Sequence, residues 1–293
     1  MKVLLLGANG MLGSQFKTQI KEEKGIELLA LAHNNVDITS YKGLKAFFDE
    51  FTPDIVINCV AYTYVDDAEF SSEKKDAMSV NADGPKNIAK LCSKTGAVLI
   101  HFSTDYVFGG QKTPPDGYKE DDFPDPLNVY GKTKVRGEEL IKKEMMQFFI
   151  VRTSWLYGPR PEGDKNFVST MLRLGGEIME GERPDLKVVG DQYGCPTYTV
   201  DLVRSVLDNF VLKFSEKMPE FGMYHITNDD FTTWYDFAVE IFRIRKSNIE
   251  VQKVETSKVP RPAIRPKNSI LLNTKLPKLR SWKDALDIYM DSW

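Results

Sequence analysis

The chain has 293 residues, of which 42% are hydrophobic and 28% charged, and its formal net charge is −3. This balance is typical of a globular protein that buries a sizeable core in one large domain or two ordinary ones. The slightly acidic charge gives no indication of a nucleic-acid partner, and no apolar run approaches the ~20 residues that cross a bilayer. We therefore expect no membrane segment and a cytoplasmic location. The 3 cysteines are scattered without metal-ligand spacing, which predicts reduced thiols and no metal site.

The N-terminus predicts a strand, a glycine turn and a helix. Residues 2–6 are an apolar run, glycines follow with G-x-x-G-x-x-G spacing, and a helical pattern begins at residue 11. Glycines let the backbone approach a pyrophosphate, and the free N–H groups of a helix N-terminus attract it. The pattern therefore predicts a dinucleotide site formed by Gly7, Gly10, Met11, Leu12 and Gly13.

A second strand over residues 26–32 is expected to end beside the adenosine ribose. An acidic residue there would bind the ribose 2′-hydroxyl and favour NAD, but a histidine and two asparagines follow, and the first acid is Asp37. We therefore expect NADPH as the cofactor, with NADH possible. Asp37 and Ile38 are candidates to flank the adenine, and Asp37 also fits the cap of the next helix.

Residues 54–58 form a continuous apolar run, as in a parallel strand that is covered on both faces. In doubly wound sheets, ligands lie at the carboxyl ends of the strands. Ala61, Tyr62 and Thr63 follow this strand and are predicted to contact the cofactor. Asn81, in the helix that comes next, is expected to support the site from behind.

The candidate chemistry lies further along, where Thr104 follows an apolar strand over residues 97–102. Tyr130 and Lys134 are four residues apart, so they share one face if the segment is helical. A cation near a phenol is expected to pull its pKa down from ~10. Thr104 would then bind a substrate oxygen, Tyr130 would exchange a proton with it, and Lys134 would hold the cofactor's ribose. Alone, the Tyr-x-x-x-Lys spacing also fits a surface helix.

Together these motifs resemble those of the extended short-chain dehydrogenase/reductases, and the chain is similar to the dTDP-4-dehydrorhamnose reductase family within them. The resemblance implies reduction of dTDP-4-dehydro-L-rhamnose to dTDP-L-rhamnose with NADPH or NADH, with Tyr130 as proton donor. It also implies that Thr104, Asp105 and Trp155 contact the sugar nucleotide. The similar stretches occur in the same order along nearly the whole chain, and they include residues 60–69, 103–108, 128–134, 152–157, 191–197 and 261–269.

One position separates this chain from the related sugar-nucleotide dehydratases. Those enzymes resemble one another in a Thr-Asp-Glu sequence whose acidic pair removes water, whereas this chain reads Thr104-Asp105-Tyr106. With a tyrosine in the glutamate position, elimination loses its base. The sequence therefore favours simple reduction, and it does not strictly exclude epimerisation.

The predicted fold is α/β: a Rossmann-type doubly wound parallel sheet with a smaller, discontinuous substrate-binding domain. Residues 1–157 are assigned to the dinucleotide-binding domain, to which segments near 186–222 and 262–275 return. Residues 158–293 are assigned mainly to the substrate-binding cap.

Candidates to bind the substrate's phosphates lie in the second half of the chain. Asn166 stands at the start of a predicted helix, and Arg261, Arg265 and Lys267 lie in a proline-rich loop. The two arginines fit a solvated loop equally well. The resemblance also includes relatives that dimerise through a metal held by acidic side chains. Ser14 and Gln15 occupy the place where such an acid would be sought, so no metal is predicted.

Two alternative functions remain at the level of sequence. The first is a reductase of another nucleotide-activated 4-keto sugar. The second is a non-catalytic, NADP-binding regulatory subunit of the methionine adenosyltransferase type, since fold and cofactor site do not dictate activity. The predicted partner is a dTDP-sugar, and the predicted state is a monomer or a homodimer.

Overall fold

The structure is a computed structural model that describes residues 1–159 and 166–291. The strands of these ranges are β1 (Lys2–Leu6), β2 (Glu27–Leu31), β3 (Ile55–Asn58), β4 (Val98–Thr104), β5 (Phe148–Thr153), β6 (Leu156–Tyr157), β7 (Leu186–Val189), β8 (Tyr193–Gly194), β9 (Thr197–Tyr198), β10 (Gly222–His225), β11 (Thr232–Thr233) and β12 (Val251–Val254).

The helices of the same ranges are α1 (Met11–Ile20), α2 (Tyr41–Phe51), α3 (Ser71–Met78), α4 (Gly84–Thr95), α5 (Val129–Glu144), α6 (Phe167–Met179), α7 (Thr199–Val206), α8 (Trp234–Ile244) and α9 (Trp282–Asp291). Short 3₁₀ turns occur at Asp67–Glu69, Asp105–Val107 and Thr256–Lys258, and π-helical turns at Ser79–Asp83 and Leu207–Val211. None of the described helices is long and apolar enough to span a lipid bilayer.

The main sheet is parallel and has the strand order β10-β5-β4-β3-β1-β2. The chain goes from β1 to β2 on one side and then returns to β3 on the other. This reversal opens a crevice beside the carboxyl ends of β1 and β3, where doubly wound sheets bind ligands. The predicted Rossmann-type doubly wound sheet is confirmed.

Alternation along the strands explains why both faces of this sheet are covered. In β1, Val3 and Leu5 point into a core shared with α1 and α7, while Leu4 and Leu6 point into a core shared with α2 and α4. Successive strand residues face opposite sides of a sheet. A strand that is buried on both sides must therefore be continuously apolar, and the four residues are fully buried.

Apart from the two faces of the main sheet, a separate core lies among α6, α8 and α9, around Tyr157, Phe237 and Trp282, and is called the second core below. Strand β7 belongs to this core and pairs with β12, outside the main sheet. The chain rejoins the first region at α7, which packs against α1, and β10 then extends the main sheet beside β5. The division of the chain at residue 157 and the bounds of the returning segments stay predictions.

Two local predictions differ from the structure. The side chain of Ser40, and not that of Asp37, caps α2 by accepting a hydrogen bond from the Gly43 N–H at 3.2 Å. The sequence pattern over residues 231–242 predicts a helix from residue 231, but α8 begins at residue 234 because Thr232–Thr233 pair with Tyr193–Gly194. Tertiary pairing overrides the local pattern in this second case.

Candidate active site

The glycine turn is shaped by two close backbone approaches. Gly7 has φ +81°, and a Cβ there would lie 3.0 Å from backbone atoms of Cys59 and Val60, at the end of β3. A Cβ at Gly13 would lie 2.0 Å from the Gly7 carbonyl oxygen, which no side chain tolerates. The glycines therefore let the start of α1 fit directly against the ends of β1 and β3.

The N-terminus of α1 has the features of an anion site. Its N-cap, Gly10, has no side chain, and the first turn carries no acidic residue. The first N–H groups of a helix lack intrahelical acceptors and concentrate partial positive charge. A Cβ at Gly10 would have its nearest neighbour at 3.6 Å, so the space beside the turn is open. A pyrophosphate fits this space, where the N–H groups of Met11, Leu12 and Gly13 are available as donors.

The two residues predicted beside the adenine have different surroundings. Asp37 is exposed, and its carboxylate accepts hydrogen bonds at 2.8 Å from the Thr39 N–H and hydroxyl. Ile38 is buried, and its side chain lies against Gly84, where a Cβ would approach the Ile38 Cδ1 to 2.5 Å. The structure therefore places the Ile38 side chain in the core and leaves Asp37 accessible.

Asn81 joins the loop after β3 to the helix that carries the catalytic candidates. Its side chain accepts from the Tyr62 N–H at 2.9 Å and donates to the Tyr62 carbonyl at 3.0 Å and to the Thr133 hydroxyl at 3.0 Å. Thr133 in turn donates to the Tyr130 carbonyl at 2.8 Å. Asn81 lies in the π-helical turn Ser79–Asp83, a kind of turn that recurs at functional sites.

Helix α5 is positioned by its N-terminal cap and by close contacts between its backbone and neighbouring segments. The Asn128 side chain caps it by accepting from the Gly131 N–H at 2.8 Å. Cβ atoms at Gly131 and Gly137 would each lie 2.2 Å from a carbonyl oxygen, of Tyr106 and of Asn81 respectively. The absence of side chains at these two positions brings the helix, and with it Tyr130 and Lys134, against the end of β4.

Tyr130 is hydrogen-bonded to Thr104, and its pKa is raised to about 12. Burial is the main cause, because it disfavours the phenolate, and the charge of Asp105 acts in the same direction while the Thr104 hydrogen bond opposes both. The expectation that Lys134 lowers this pKa is wrong. Lys134 instead donates to the Phe102 carbonyl at 2.7 Å, and burial lowers the lysine's own pKa to about 8.

Asp105 lies beneath this pair and is 3% exposed. One carboxylate oxygen accepts from the Thr104 hydroxyl at 3.0 Å, and the other accepts from the Ser269 hydroxyl at 2.5 Å. Burial raises the pKa of Asp105 to about 7, although these hydrogen bonds oppose the shift. Ser269 is 164 residues away along the chain; it ends the similar stretch 261–269, but no sequence pattern linked it to Asp105.

A buried ion pair joins helix α5 to strand β5, and the sequence did not indicate this pair. Glu138, one turn after Lys134, receives two hydrogen bonds from Arg152, at 2.7 and 2.9 Å, and one from Ser103 at 2.6 Å. The Glu138 and Arg152 side chains are each 1% exposed. The negative charge of Glu138 favours the cationic form of Lys134 and so limits the fall of the lysine's pKa.

A cleft of about 480 Å³ opens beside Tyr106, between the main sheet and the second core. Arg265 lines it and forms a two-pronged ion pair with Asp66, with one contact of 2.9 Å, and it also hydrogen-bonds the Tyr106 phenol. The Arg261 guanidinium lies 3.6 Å from the same carboxylate. The basic residues on the wall of this cleft are Arg183, Lys187, Arg261 and Arg265.

Trp155 and Asn166 both have firm structural contacts. The Trp155 ring stacks on Trp234 with a centroid distance of 3.5 Å, and a Cβ at Gly194 would lie 2.5 Å from its ring. The buried Asn166 side chain caps α6 by accepting from the Ser169 N–H at 2.9 Å. The proposed sugar-nucleotide contacts of these two residues stay predictions.

Within residues 1–159 and 166–291, no group of three or more His, Cys, Asp or Glu side chains could hold a metal ion. The cysteines, Cys59, Cys92 and Cys195, are all free.

Comparisons with known proteins agree along the whole chain. Residues 1–293 match the family model described as the RmlD substrate binding domain. A spore coat polysaccharide biosynthesis protein of Bacillus subtilis (strain 168) is 37% identical over 293 residues, which are 99% of this chain and 96% of that protein. A dTDP-4-dehydrorhamnose reductase of Streptomyces griseus is 38% identical over 290 residues, which are 97% of this chain and 91% of that protein. A solved dTDP-4-dehydrorhamnose reductase of Bacillus anthracis str. Ames, in complex with NADP, is 36% identical with a TM-score of 0.90, and the match covers 100% of this chain and 99% of that one.

Proposed function

This chain belongs to the RmlD substrate binding domain family, and from that premise we propose that it is an NADPH-dependent dTDP-4-dehydrorhamnose reductase. The reaction is the reduction of dTDP-4-dehydro-L-rhamnose to dTDP-L-rhamnose. The observation that carries the proposal is the position of Tyr130. Its phenol is hydrogen-bonded to Thr104 at the carboxyl end of β4, on the same sheet edge as the glycine turn after β1.

The residues of the glycine turn fit the pyrophosphate of a dinucleotide. Gly7 and Gly13 bring the start of α1 against the strand ends, the space beside Gly10 is open, and the first-turn N–H groups of α1 supply donors. Ala61, Tyr62 and Thr63 lie in the loop that follows β3, the strand next to β1, where they would line the nicotinamide half. Lys134 would hold the ribose hydroxyls. When bound, the cofactor supplies the hydride.

Tyr130 would give its proton to the C4 oxygen of the sugar. Its pKa, raised to about 12, keeps the phenol protonated at neutral pH, which a proton donor requires. Lys134, whose pKa is lowered to about 8, still carries a charge at neutral pH and favours the negative charge that forms on the oxygens. Burial raises the pKa of Tyr106, so its phenol stays protonated at neutral pH and cannot act as the base that starts an elimination.

The diphosphate of the substrate would lie in the cleft beside Tyr106. Arg265 and Arg261 are placed by Asp66, and guanidinium groups suit phosphate oxygens through paired N–H donors. Asp105 and Trp155 would contact the sugar. The free thiols agree with a cytoplasmic location, which we also propose, with a monomer or homodimer as the expected state.

The test is the loss of reduced-nicotinamide absorbance when the purified protein meets enzymatically generated dTDP-4-dehydro-L-rhamnose. NADPH and NADH are run in parallel, and the product is identified by NMR. Formation of dTDP-L-rhamnose, faster with NADPH, is expected. Turnover only with a different nucleotide-linked 4-keto sugar would change the substrate. Cofactor binding without turnover of any 4-keto sugar would favour the regulatory-subunit alternative.

A further inference from the structure

The hydrogen bonds of the Thr104 hydroxyl determine what it can do. A threonine hydroxyl has one proton to donate and two lone pairs that accept. Here the oxygen accepts from the Tyr106 N–H at 3.2 Å and donates its proton to Asp105 at 3.0 Å. The hydrogen bond between Thr104 and Tyr130 is then left the remaining lone pair, which requires the phenol to donate; the lowering effect of this bond on the Tyr130 pKa belongs to the reverse arrangement, in which Thr104 donates. While the phenol donates, Thr104 has no proton left for a substrate oxygen.

The direction of this chain depends on Asp105. While the carboxylate is ionised, protons point from Tyr130 to Thr104 and from Thr104 to Asp105. When the carboxyl is protonated, it can donate to Thr104, and the Thr104 proton then points at the Tyr130 oxygen. Both arrangements use the same atoms and need only rotation of hydroxyl hydrogens.

The surroundings of Asp105 favour such a change. Its 3% exposure removes it from bulk water, and the Ser269 hydroxyl fixes the oxygen that Thr104 does not use. The titratable groups that interact with its charge are the Tyr106 and Tyr130 phenols and the Cys195 thiol, all of them neutral at pH 7 because burial raises their pKa values. The largest effects that oppose the rise of its own pKa are hydrogen bonds from Ser269, from Thr104 and from the backbone of Asp105 and Tyr106. The pKa of about 7 follows, so both protonation states are populated near neutrality.

We propose that Asp105 returns a proton to Tyr130 through the Thr104 hydroxyl after each turnover, with Ser269 holding the carboxyl in place. The inference rests on the proposed function, because it concerns the reloading of the same proton donor.

The proton transfers balance as follows. Tyr130 loses its O–H proton to the substrate oxygen and becomes a phenolate. The Thr104 O–H bond then breaks as a new Tyr130 O–H bond forms, and the Thr104 oxygen takes the proton of the Asp105 carboxyl. Asp105 is left as a carboxylate and regains one proton from water before the next cycle. No electrons are transferred in these steps, and in this role Asp105 acts on Tyr130 only through Thr104, as a proton store.

The first test separates the first turnover from those that follow. In a single turnover, the proton already on Tyr130 is sufficient, whereas steady-state turnover needs reloading. We expect Asp105→Asn to lower kcat by at least ~10-fold more than it lowers the single-turnover rate, within the range typical of general acid–base groups. Asparagine keeps the size and the oxygen that accepts from Thr104. Formate or imidazole, as small proton donors, should raise the steady-state rate of this variant and leave wild type unchanged.

The second test uses Ser269→Ala, which leaves the carboxyl in place. The Ser269 hydrogen bond lowers the pKa of Asp105, so its loss should raise that pKa. Because reloading needs a protonated carboxyl, kcat of the wild type should fall as pH rises through about 7, and this fall should move to higher pH in Ser269→Ala. The fall should disappear in Asp105→Asn.

The outcomes distinguish this inference from the proposed function. If wild type does not reduce dTDP-4-dehydro-L-rhamnose, the proposed function fails. The relay, meaning the return of a proton from Asp105 to Tyr130 through Thr104, then fails with it. If wild type is active but Asp105→Asn loses single-turnover and steady-state rates equally, without rescue by small acids, Asp105 only positions Thr104 or the sugar. A pH profile of Ser269→Ala that is unchanged or moves to lower pH would also overturn the relay.

Discussion

Two regions of the molecule differ in how far their polar and charged side chains are exposed to solvent. At the carboxyl end of β4, the strand-end network of Thr104, Asp105, Lys134, Glu138 and Arg152 is at most 8% exposed, and each member has a hydrogen-bond partner. Three of the four basic side chains of the cleft are open, with 40% exposure for Arg183, 56% for Lys187 and 60% for Arg261, whereas Arg265 is 16% exposed and paired with Asp66.

The difference shows how chemistry and binding are divided. Burial shifts the pKa values of Tyr130, Asp105 and Lys134 because water no longer stabilises their charged forms. Open cations are screened by solvent, so each one attracts a phosphate weakly and they act together. Changes in the strand-end network should therefore alter rates and stability, whereas changes in the cleft should alter mainly substrate affinity.

The largest effect is expected for Tyr130→Phe, which removes the proton donor and keeps the ring. We expect kcat to fall by ~10²–10⁴-fold, the usual contribution of general acid catalysis. NADPH affinity, measured by fluorescence titration, should change little. Tyr64→Phe is the matched control, since Tyr64 is 67% exposed. Intact turnover in Tyr130→Phe would remove Tyr130 from the mechanism.

The next effect is on stability. Glu138→Gln leaves the Arg152 charge buried without its partner, and breaking a buried ion pair costs ~3–5 kcal/mol. Urea denaturation should show this loss of unfolding free energy. Glu139→Gln on the same helix is the control, because the Arg136–Glu139 pair is about half exposed and should contribute nothing measurable. Equal effects of the two variants would contradict the contrast between the two regions.

In the cleft, we expect Arg265→Gln to raise KM for the sugar nucleotide by ~10-fold, the equivalent of one charged hydrogen bond. The single-turnover rate at saturating substrate should change less than KM, because the proposed arrangement assigns Arg265 to the diphosphate and not to the reacting oxygen. Steady-state kinetics test this, with Arg136→Gln as an exposed control. A loss in kcat with KM unchanged would place Arg265 in the chemistry.

The smallest effect concerns pH. Burial lowers the pKa of Lys134 to about 8, so its charge is present below that pH and is lost above it. We expect NADPH affinity to decline a few-fold as pH rises past about 8, and fluorescence titration across pH measures it. Lys134→Met should bind NADPH more weakly at pH 7 and lose this dependence, whereas exposed Lys132→Met should keep it. A pH-independent affinity in wild type would contradict the role assigned to Lys134.

The sequence predicted the main sheet well because its determinants are local. The apolar runs of β1, β3 and β4, the glycine spacing after β1 and the Tyr130–Lys134 interval are each contained in a few residues. Thr104 was predicted from its place after a strand, and the resemblance to a family then added Asp105 to the predicted site. These features need no knowledge of distant parts of the chain.

What the sequence did not predict depends on contacts between distant segments. Ser269 reaches Asp105 across 164 residues, and the Glu138–Arg152 pair forms only once α5 packs against β5. The direction of the Tyr130 pKa shift was also wrong, because the spacing indicated a nearby lysine and carried no measure of burial. Charges and spacings are written in the sequence, but the degree of desolvation follows from the whole fold.

The π-helical turn Ser79–Asp83 makes the site sensitive to chain length. Its defining bond runs from the Gly84 N–H to the Ser79 carbonyl, so the turn holds one residue more than an α-helix would. Deleting one residue here would let the turn close as α-helix and would change which residue occupies each position of the turn. Asn81 would then leave the loop at Tyr62. We therefore expect the exposed Asp83 to accept substitution but the segment to accept no deletion, so that its number of residues is constrained as strictly as the identity of Asn81.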